Sequence, residues 1–464
     1  MPRQVVILHG WSDDSESFEP LAKFLKAHGY DPVPVWLGDY ISMQDDVMIQ
    51  DVTKRMQVVI EGLWASGTLG RNFDMIVHST GGLVAREWLT AWYLNDAKNV
   101  PVRRLLMLAP ANYGSRLASM GKSLLGRVVK GWDHWFHTGQ QMLNALELAS
   151  PYQWALAQRD IFTDDAIDKR TIYGPDFVLP FVITGSHPYP SLLRQIVNEN
   201  GGDGTVRVPA ANLNAIGATL NFCNAGENPV VTPWTRRCDA DFPLAVLPCR
   251  THASIIDPGG GDIDGETPAQ KQQLGDLILE ALGCEDWAEY GDIQKQWFRI
   301  SEDTATLSDN DFCHQYCQMN VFVVDDQGAP VKDYFLEFIA PDYQTSDAAT
   351  VYFNRNVIED VHTNAQNAAS RCVYLDRTDL MNGYYPRIPE PLEKTVTMSL
   401  SANAPGDNVH YFSDSATGAK GEFKLHSQDA LGERWLKRNT THFVKIVIPR
   451  VPREQVFRLR LYGG

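Results

Sequence analysis

Apolar positions along this chain fall into two textures. Through residues 1–290, short continuous apolar runs alternate with stretches whose apolar residues recur three and four apart. Val5–Leu8, Val33–Leu37, Met75–Val77, Arg104–Ala109, Phe177–Thr184 and Thr219–Cys223 are runs of the first kind, the pattern of strands buried on both faces. Phe18, Leu21, Phe24 and Leu25 share one helical face before Gly29, and Val52, Met56, Val59, Ile60 and Leu63 share another. Leu83–Tyr93 reads as a further helix. Strand–helix alternation of this kind predicts an α/β fold, with a mostly parallel, doubly wound sheet covered on both faces.

From about Trp297 the helical spacing fades. Val321–Val324, Phe335–Ile339, Val351–Phe353, Cys372–Leu375, Val396–Leu400, Phe443–Pro449 and Val456–Tyr462 read as strands separated by polar turns. They predict a β-sandwich over residues 298–464, with the boundary between Gly283 and Arg299.

Composition narrows the function. The chain of 464 residues carries 57 acidic against 41 basic side chains, a net charge of -16. That balance argues against nucleic acid as a partner. No apolar run reaches the length of a membrane span. The first strand starts almost at once after Met1-Pro2-Arg3-Gln4, with no signal-peptide core before it, so cytoplasmic synthesis without Sec export is the expectation. Export by another route stays open. Seven cysteines do not make a disulfide scaffold, although the spacing of Cys223, Cys238 and Cys249 allows one bridge.

The chemistry concentrates where Asp74-Met75-Ile76-Val77 runs into His78-Ser79-Thr80-Gly81-Gly82 and a helix. A serine hydroxyl is a weak nucleophile that needs a base beside it and amide donors for the oxyanion. A sharp strand-to-helix turn lifts the serine clear of the backbone and aims a helix N-terminus at it. Downstream, Asp203 sits between glycines in Gly201-Gly202-Asp203-Gly204-Thr205-Val206, and His252 follows the apolar run Leu244–Cys249. The order Ser79, Asp203, His252 supplies a nucleophile, an acid and a base, each past a strand end.

These motifs resemble the G-x-S-x-G elbow, the acid loop and the histidine loop of the α/β-hydrolase superfamily, with Val77 in place of the first glycine. Leu8-His9-Gly10-Trp11 resembles its oxyanion loop. Ala109-Pro110-Ala111-Asn112-Tyr113-Gly114-Ser115 resembles, with one extra residue, the loop after the elbow in lipases of the GPI inositol-deacylase and lecithin:cholesterol acyltransferase type. The resemblance covers residues 1–285 and implies a serine hydrolase. Ser79 is then the nucleophile, His252 the base and Asp203 its partner, and the backbone N–H groups of Trp11 and Thr80 form the oxyanion hole. Such chemistry calls for no metal or cofactor.

A lid insertion is expected at about 115–160. On a helix, Leu117, Met120, Leu124, Leu125, Val128, Val129, Trp132, Trp135 and Phe136 share one face, and Arg116, Lys122, Arg127 and Lys130 share the other. A basic amphipathic helix ending in tryptophans fits an anionic membrane surface. It equally fits a cap over an acyl pocket, and the two readings are compatible. Three other signals carry less. Gly121-Lys122-Ser123 lacks the earlier glycine of a Walker motif, since Arg116 stands there. Asp262-Ile263-Asp264-Gly265-Glu266 reads as an acidic turn before it reads as a calcium loop. Cys313 and Cys317 have no second pair for zinc.

The expected function is a carboxylic-ester hydrolase acting on acyl lipids, of the lipase or phospholipase A type. An amidase or acyltransferase would use the same residues, and a lapsed hydrolase would keep the fold as a binding protein. Nothing in the sequence names a partner for the C-terminal β-domain.

Overall fold

Val5, Val6, Ile7 and Leu8 are buried almost completely, which places the first strand in the middle of a covered sheet. The computed structural model describes residues 4–8, 10, 15–35, 45–120, 139–165, 167–189, 198–223, 229–259, 266–307, 311–341, 348–412, 421–426 and 436–462. The chain divides into two units. The first comprises 1–215, 235–315 and 439–441, and the second 216–234, 316–438 and 442–464.

In the first unit, β1 (Gln4–Leu8), β2 (Asp31–Val35), β3 (Phe73–His78), β4 (Val102–Leu108) and β5 (Leu179–Gly185) follow the expected runs closely. The chain then leaves for the second unit with β6 (Ala215–Asn221) and β7 (Val230–Pro233), and returns with β8 (Leu244–Leu247). The first unit's main sheet has the order β8-β5-β4-β3-β1-β2, and every pairing in it is parallel. Helices α1 (Glu19–Ala27), α2 (Ile49–Ala65), α3 (Gly81–Tyr93), α4 (Pro151–Asp160), α5 (Pro268–Gly283) and α6 (Trp287–Thr306) belong to the same unit. The fold class is therefore α/β with a parallel sheet, as the alternation predicted.

Helix α3 is buried nearly all round, including Arg86. A buried guanidinium is tolerable only when paired and hydrogen-bonded. Asp160 at the end of α4 accepts from Arg86 Nε at 2.8 Å and from Nη2 at 3.1 Å, and the Asn112 carbonyl accepts from Nη1 at 2.8 Å. Helix α6 runs through the interval in which the sequence places the boundary, and it belongs to the first unit. It satisfies the exposed edge of β8: Ser301 Oγ accepts from Val246 N at 3.0 Å, and Thr304 Oγ1 donates to Val246 O at 2.6 Å. An uncovered edge strand would invite foreign pairing.

Three corrections concern the second unit. The run read as Thr219–Cys223 is β6, and it does not join the parallel sheet of the first unit. It lies in a six-stranded sheet with β7, β9 (Tyr316–Asp325), β11 (Ile358–Thr363), β12 (Ser370–Asp376) and β15 (Thr440–Ile448). A three-stranded sheet of β10 (Tyr334–Ile339), β13 (Thr395–Ala402) and β14 (Gly421–His426) shares its core. Val351 and Tyr352 stand in a short helix, Ala348–Tyr352, because Phe353 must turn inward to stack on Phe338 at 5.2 Å. Val456–Tyr462 alternates but forms no strand, and Phe457, Leu459 and Leu461 are exposed. All seven cysteines are free, so the bridge allowed by spacing does not form.

Residues 439–441 rejoin the first unit from far along the chain. Thr441 Oγ1 donates to Pro209 O at 2.7 Å, and Asn212 Nδ2 donates to Asn439 O at 2.6 Å. Among the described residues, no helix is long and apolar enough to cross a membrane.

Backbone approaches closely at the end of β5. A Cβ on Gly185 would stand 1.8 Å from the Arg250 carbonyl oxygen. Arg250 organises the loop after β8. Its Nη1 donates to Ser254 O at 3.1 Å and Asp257 O at 2.9 Å, and its Nη2 pairs with buried Glu266 at 2.9 Å. Gly185→Ala is therefore expected to cost about 3 kcal/mol or more, because backbone rather than a side-chain tip must give way. Chemical denaturation of the variant beside the wild type checks this.

Candidate active site

Four loops meet at the carboxyl end of the parallel sheet, where open α/β sheets bind ligands. Ser79 follows β3 with φ at +54°, a left-handed conformation that costs a non-glycine residue about 1–3 kcal/mol. The turn is held from two sides. The Ser79 carbonyl accepts from Gly82 N and Ala111 N, both at 3.1 Å, and Ser79 N donates to Leu108 O at 3.2 Å. Gly10 and Gly82 supply the space. A Cβ at Gly10 would lie 2.6 Å from Ser79 Cβ, and one at Gly82 would lie 2.7 Å from Pro110 Cβ. Val77, which replaces the first glycine of the motif, is fully buried within β3 and accommodated.

Ser79 Oγ lies 3.0 Å from His252 Nε2, and His252 Nδ1 lies 2.8 Å from Asp203 Oδ2. The three residues predicted from sequence are thus joined in one relay. His252 and Asp203 are buried, while Ser79 is partly exposed. Asp203 is held through its other oxygen, which accepts from Thr205 N at 2.9 Å and Val206 N at 2.8 Å. The glycines around it have a conformational reason: Gly201 and Gly204 have φ of +65° and +90°. His252 N donates to Asp203 O at 2.9 Å, so acid loop and histidine loop are tied by backbone as well.

Thr80 follows Ser79 as the buried N-cap of α3, the place an oxyanion donor requires. Trp11 lies outside the described residues, but the adjacent Gly10 brings the end of β1 against Ser79. Of the expected lid face, Leu124, Leu125, Arg127, Val128, Lys130, Trp132, Trp135 and Phe136 lie outside the described residues. Leu117 is buried in a short helix, Arg116–Ser119. Arg116, in the same helix, is partly exposed. It pairs with Glu199 at 3.5 Å, and Glu199 also binds buried Arg207 at 2.5 Å. Ser115 Oγ donates to Thr205 O at 2.7 Å. The root of the segment is thereby fastened to the acid loop. Glu266, read as an acidic turn, is the buried partner of Arg250.

The sequence reading assigned no role to His78, Glu199, Arg207 or Arg250. His78 was visible beside the nucleophile, and a charged residue on an apolar stretch, such as Arg250 after Leu244–Cys249, was the available signal for the rest. Their partners are remote in sequence. Among the described residues, no cluster of histidine, cysteine or carboxylate side chains could hold a metal ion. Chemically, the arrangement can deprotonate a serine hydroxyl and stabilise the imidazolium that results.

A family model described as the alpha/beta hydrolase family matches residues 5–260. The solved structure of phospholipase PlaB from Legionella pneumophila is similar over 100% of this chain and 97% of its own, with 24% identity and a TM-score of 0.79. The structure of the same phospholipase in complex with thio-NAD is similar over the same shares, with 25% identity and a TM-score of 0.77. No curated protein sequence matches the chain.

Asp203→Asn keeps an oxygen for the amides of Thr205 and Val206 but turns an NH2 toward His252 Nδ1. That stabilises the wrong imidazole tautomer. Turnover of an ester should fall by about a thousandfold or more with the fold intact, as steady-state rates and circular dichroism of the variant will show.

Proposed function

This chain belongs to the alpha/beta hydrolase family, and on that premise we propose that it is a serine carboxylic-ester hydrolase acting on acyl lipids, of the lipase or phospholipase A type. The observation that carries the reading is the relay from Ser79 Oγ through His252 to Asp203, at 3.0 Å and 2.8 Å.

In the proposed reaction, Ser79 Oγ attacks the acyl carbonyl while His252 Nε2 takes the hydroxyl proton. The carbonyl electrons move onto oxygen, and the backbone amides of Trp11 and Thr80 hold that oxyanion. Collapse expels the alcohol, which receives the proton from His252, and leaves an acyl-enzyme on Ser79. Water then attacks with the same base, and the fatty acid leaves. Asp203 keeps its charge throughout and holds the imidazole by Nδ1.

Two considerations support lipid over a small soluble ester. The full-length likeness to a phospholipase extends across both units rather than the hydrolase region alone. The basic amphipathic stretch at 117–136 follows the strand after the elbow, where a lid could cover an acyl pocket when closed and lie on lipid when open. An anionic membrane surface is then the partner of that stretch.

Ser79→Ala and His252→Ala should each remove nearly all ester hydrolysis, and the double variant should be no worse, because residues that act as a unit are not additive. Fluorophosphonate labelling should disappear with Ser79→Ala. A folded Ser79→Ala protein that keeps more than a few per cent of activity defeats the reading.

The membrane role is tested separately. Changing Lys122, Arg127 and Lys130 to glutamine, with Arg116 left to its Glu199 pair, should weaken binding to anionic vesicles, each charge contributing about 1 kcal/mol near such a surface. Hydrolysis of a short soluble p-nitrophenyl ester should stay near wild type. Equal vesicle sedimentation of variant and wild type at low salt would leave the segment as a cap only.

A further inference from the structure

We propose that His78, the residue before the nucleophile, is a positioning residue for His252; the proposal rests on the hydrolase reading above. His78 is the last residue of β3, buried with His252 behind Ser79. Its Nε2 lies 3.0 Å from the backbone carbonyl oxygen of His252. A carbonyl only accepts, so the ring donates there and carries its proton on Nε2. The two imidazoles also meet face to tilted face, with centroids 4.6 Å apart and planes inclined by 41°. Phe18 also meets the His78 ring edge-on, with centroids 5.9 Å apart.

Every polar group of His252 is then engaged. Its backbone N–H donates to Asp203 O at 2.9 Å. Nδ1 faces Asp203 Oδ2 at 2.8 Å, and Nε2 faces Ser79 Oγ at 3.0 Å. The N–H and Nδ1 contacts both lead to Asp203. The His78 contact is a tie on the carbonyl side, and the tilted His78 ring packs against the imidazole. It matters because β3 carries both His78 and Ser79. The base is therefore referenced to the same strand end that presents the nucleophile. Misplacement by about 1 Å at such a site costs roughly a hundredfold in rate.

The arrangement also demands opposite tautomers in neighbouring rings. His252 holds its proton on Nδ1, toward Asp203, and offers the Nε2 lone pair to the Ser79 hydroxyl. His78 holds its proton on Nε2.

The test uses the full chain with three readouts. His78→Phe keeps ring volume and removes the donor; His78→Gln restores an N–H of similar reach. For His78→Phe, fluorophosphonate labelling and kcat for a soluble ester should fall roughly tenfold to a hundredfold, with KM within about twofold. His78→Gln should recover most of that loss, and the two variants should melt at similar temperatures. Nitrogen-15 spectra of histidine-labelled wild type, which need no variant to fold, should show His78 as the Nε2–H tautomer and His252 as the Nδ1–H tautomer. Wild-type rates in His78→Phe, equal impairment of both variants, or a proton on His78 Nδ1 would each overturn the proposal. None of these results touches the hydrolase reading, which stands or falls with Ser79→Ala.

Discussion

The left-handed turn at Ser79 is the constraint on which the rest of the active edge depends. A non-glycine residue at φ of +54° persists only where its surroundings over-determine it. Here they do so on every side. Gly10 presses against the Ser79 side chain, Gly82 lets α3 pass Pro110, and two amides converge on the Ser79 carbonyl. Helix α3 cannot drift, because its buried Arg86 is fixed to Asp160 at the end of α4 and to the backbone at Asn112. Strain at one residue is thus offset by hydrogen bonds and packing spread over four segments.

The acid and base loops are built on a different principle. Each is organised around a buried arginine. Arg250 holds the histidine loop through two carbonyls and Glu266, and Glu199 holds the acid loop through Arg207 and Arg116. Breaking a buried pair leaves an uncompensated charge, which is costly. Such loops resist small displacements, which is what a proton relay with contacts of 2.8 Å and 3.0 Å needs. The Glu199 pair has a second consequence. A segment proposed to open at its far end is anchored at its root beside Asp203, so movement of the one need not disturb the other.

Much of this was legible before the structure. Continuous apolar runs announced the parallel strands, and the serine between a strand and two glycines announced the turn. The order of Ser79, Asp203 and His252 foretold which residues would meet. The errors share a cause. The run at 219–223 was correctly taken as a strand, but an apolar run does not say which neighbours hydrogen-bond to it, and β6 pairs in the second unit. Val351 and Tyr352 have strand propensity, yet the packing of Phe353 between Phe338 and Tyr384 draws them into a helix. Val456–Tyr462 alternates as a strand should, and pairs with nothing among the described residues. Helical spacing that fades at Trp297 likewise does not reveal that Ser301 and Thr304 of α6 bond to Val246 of β8.

The sequence by itself determined the local conformations and the inventory of reactive groups. Periodicity follows from the geometry of one helix or one strand, and glycines at 201 and 204 follow from the φ their turn demands. Only the tertiary structure decided how those groups are held. His78 against the His252 carbonyl, Arg250 against Glu266, Glu199 between Arg207 and Arg116, and Thr441 on Pro209 join residues whose separation along the chain reaches 232 positions. A partner at such a distance leaves no periodic trace, because burial, not spacing, obliges a polar group to find it.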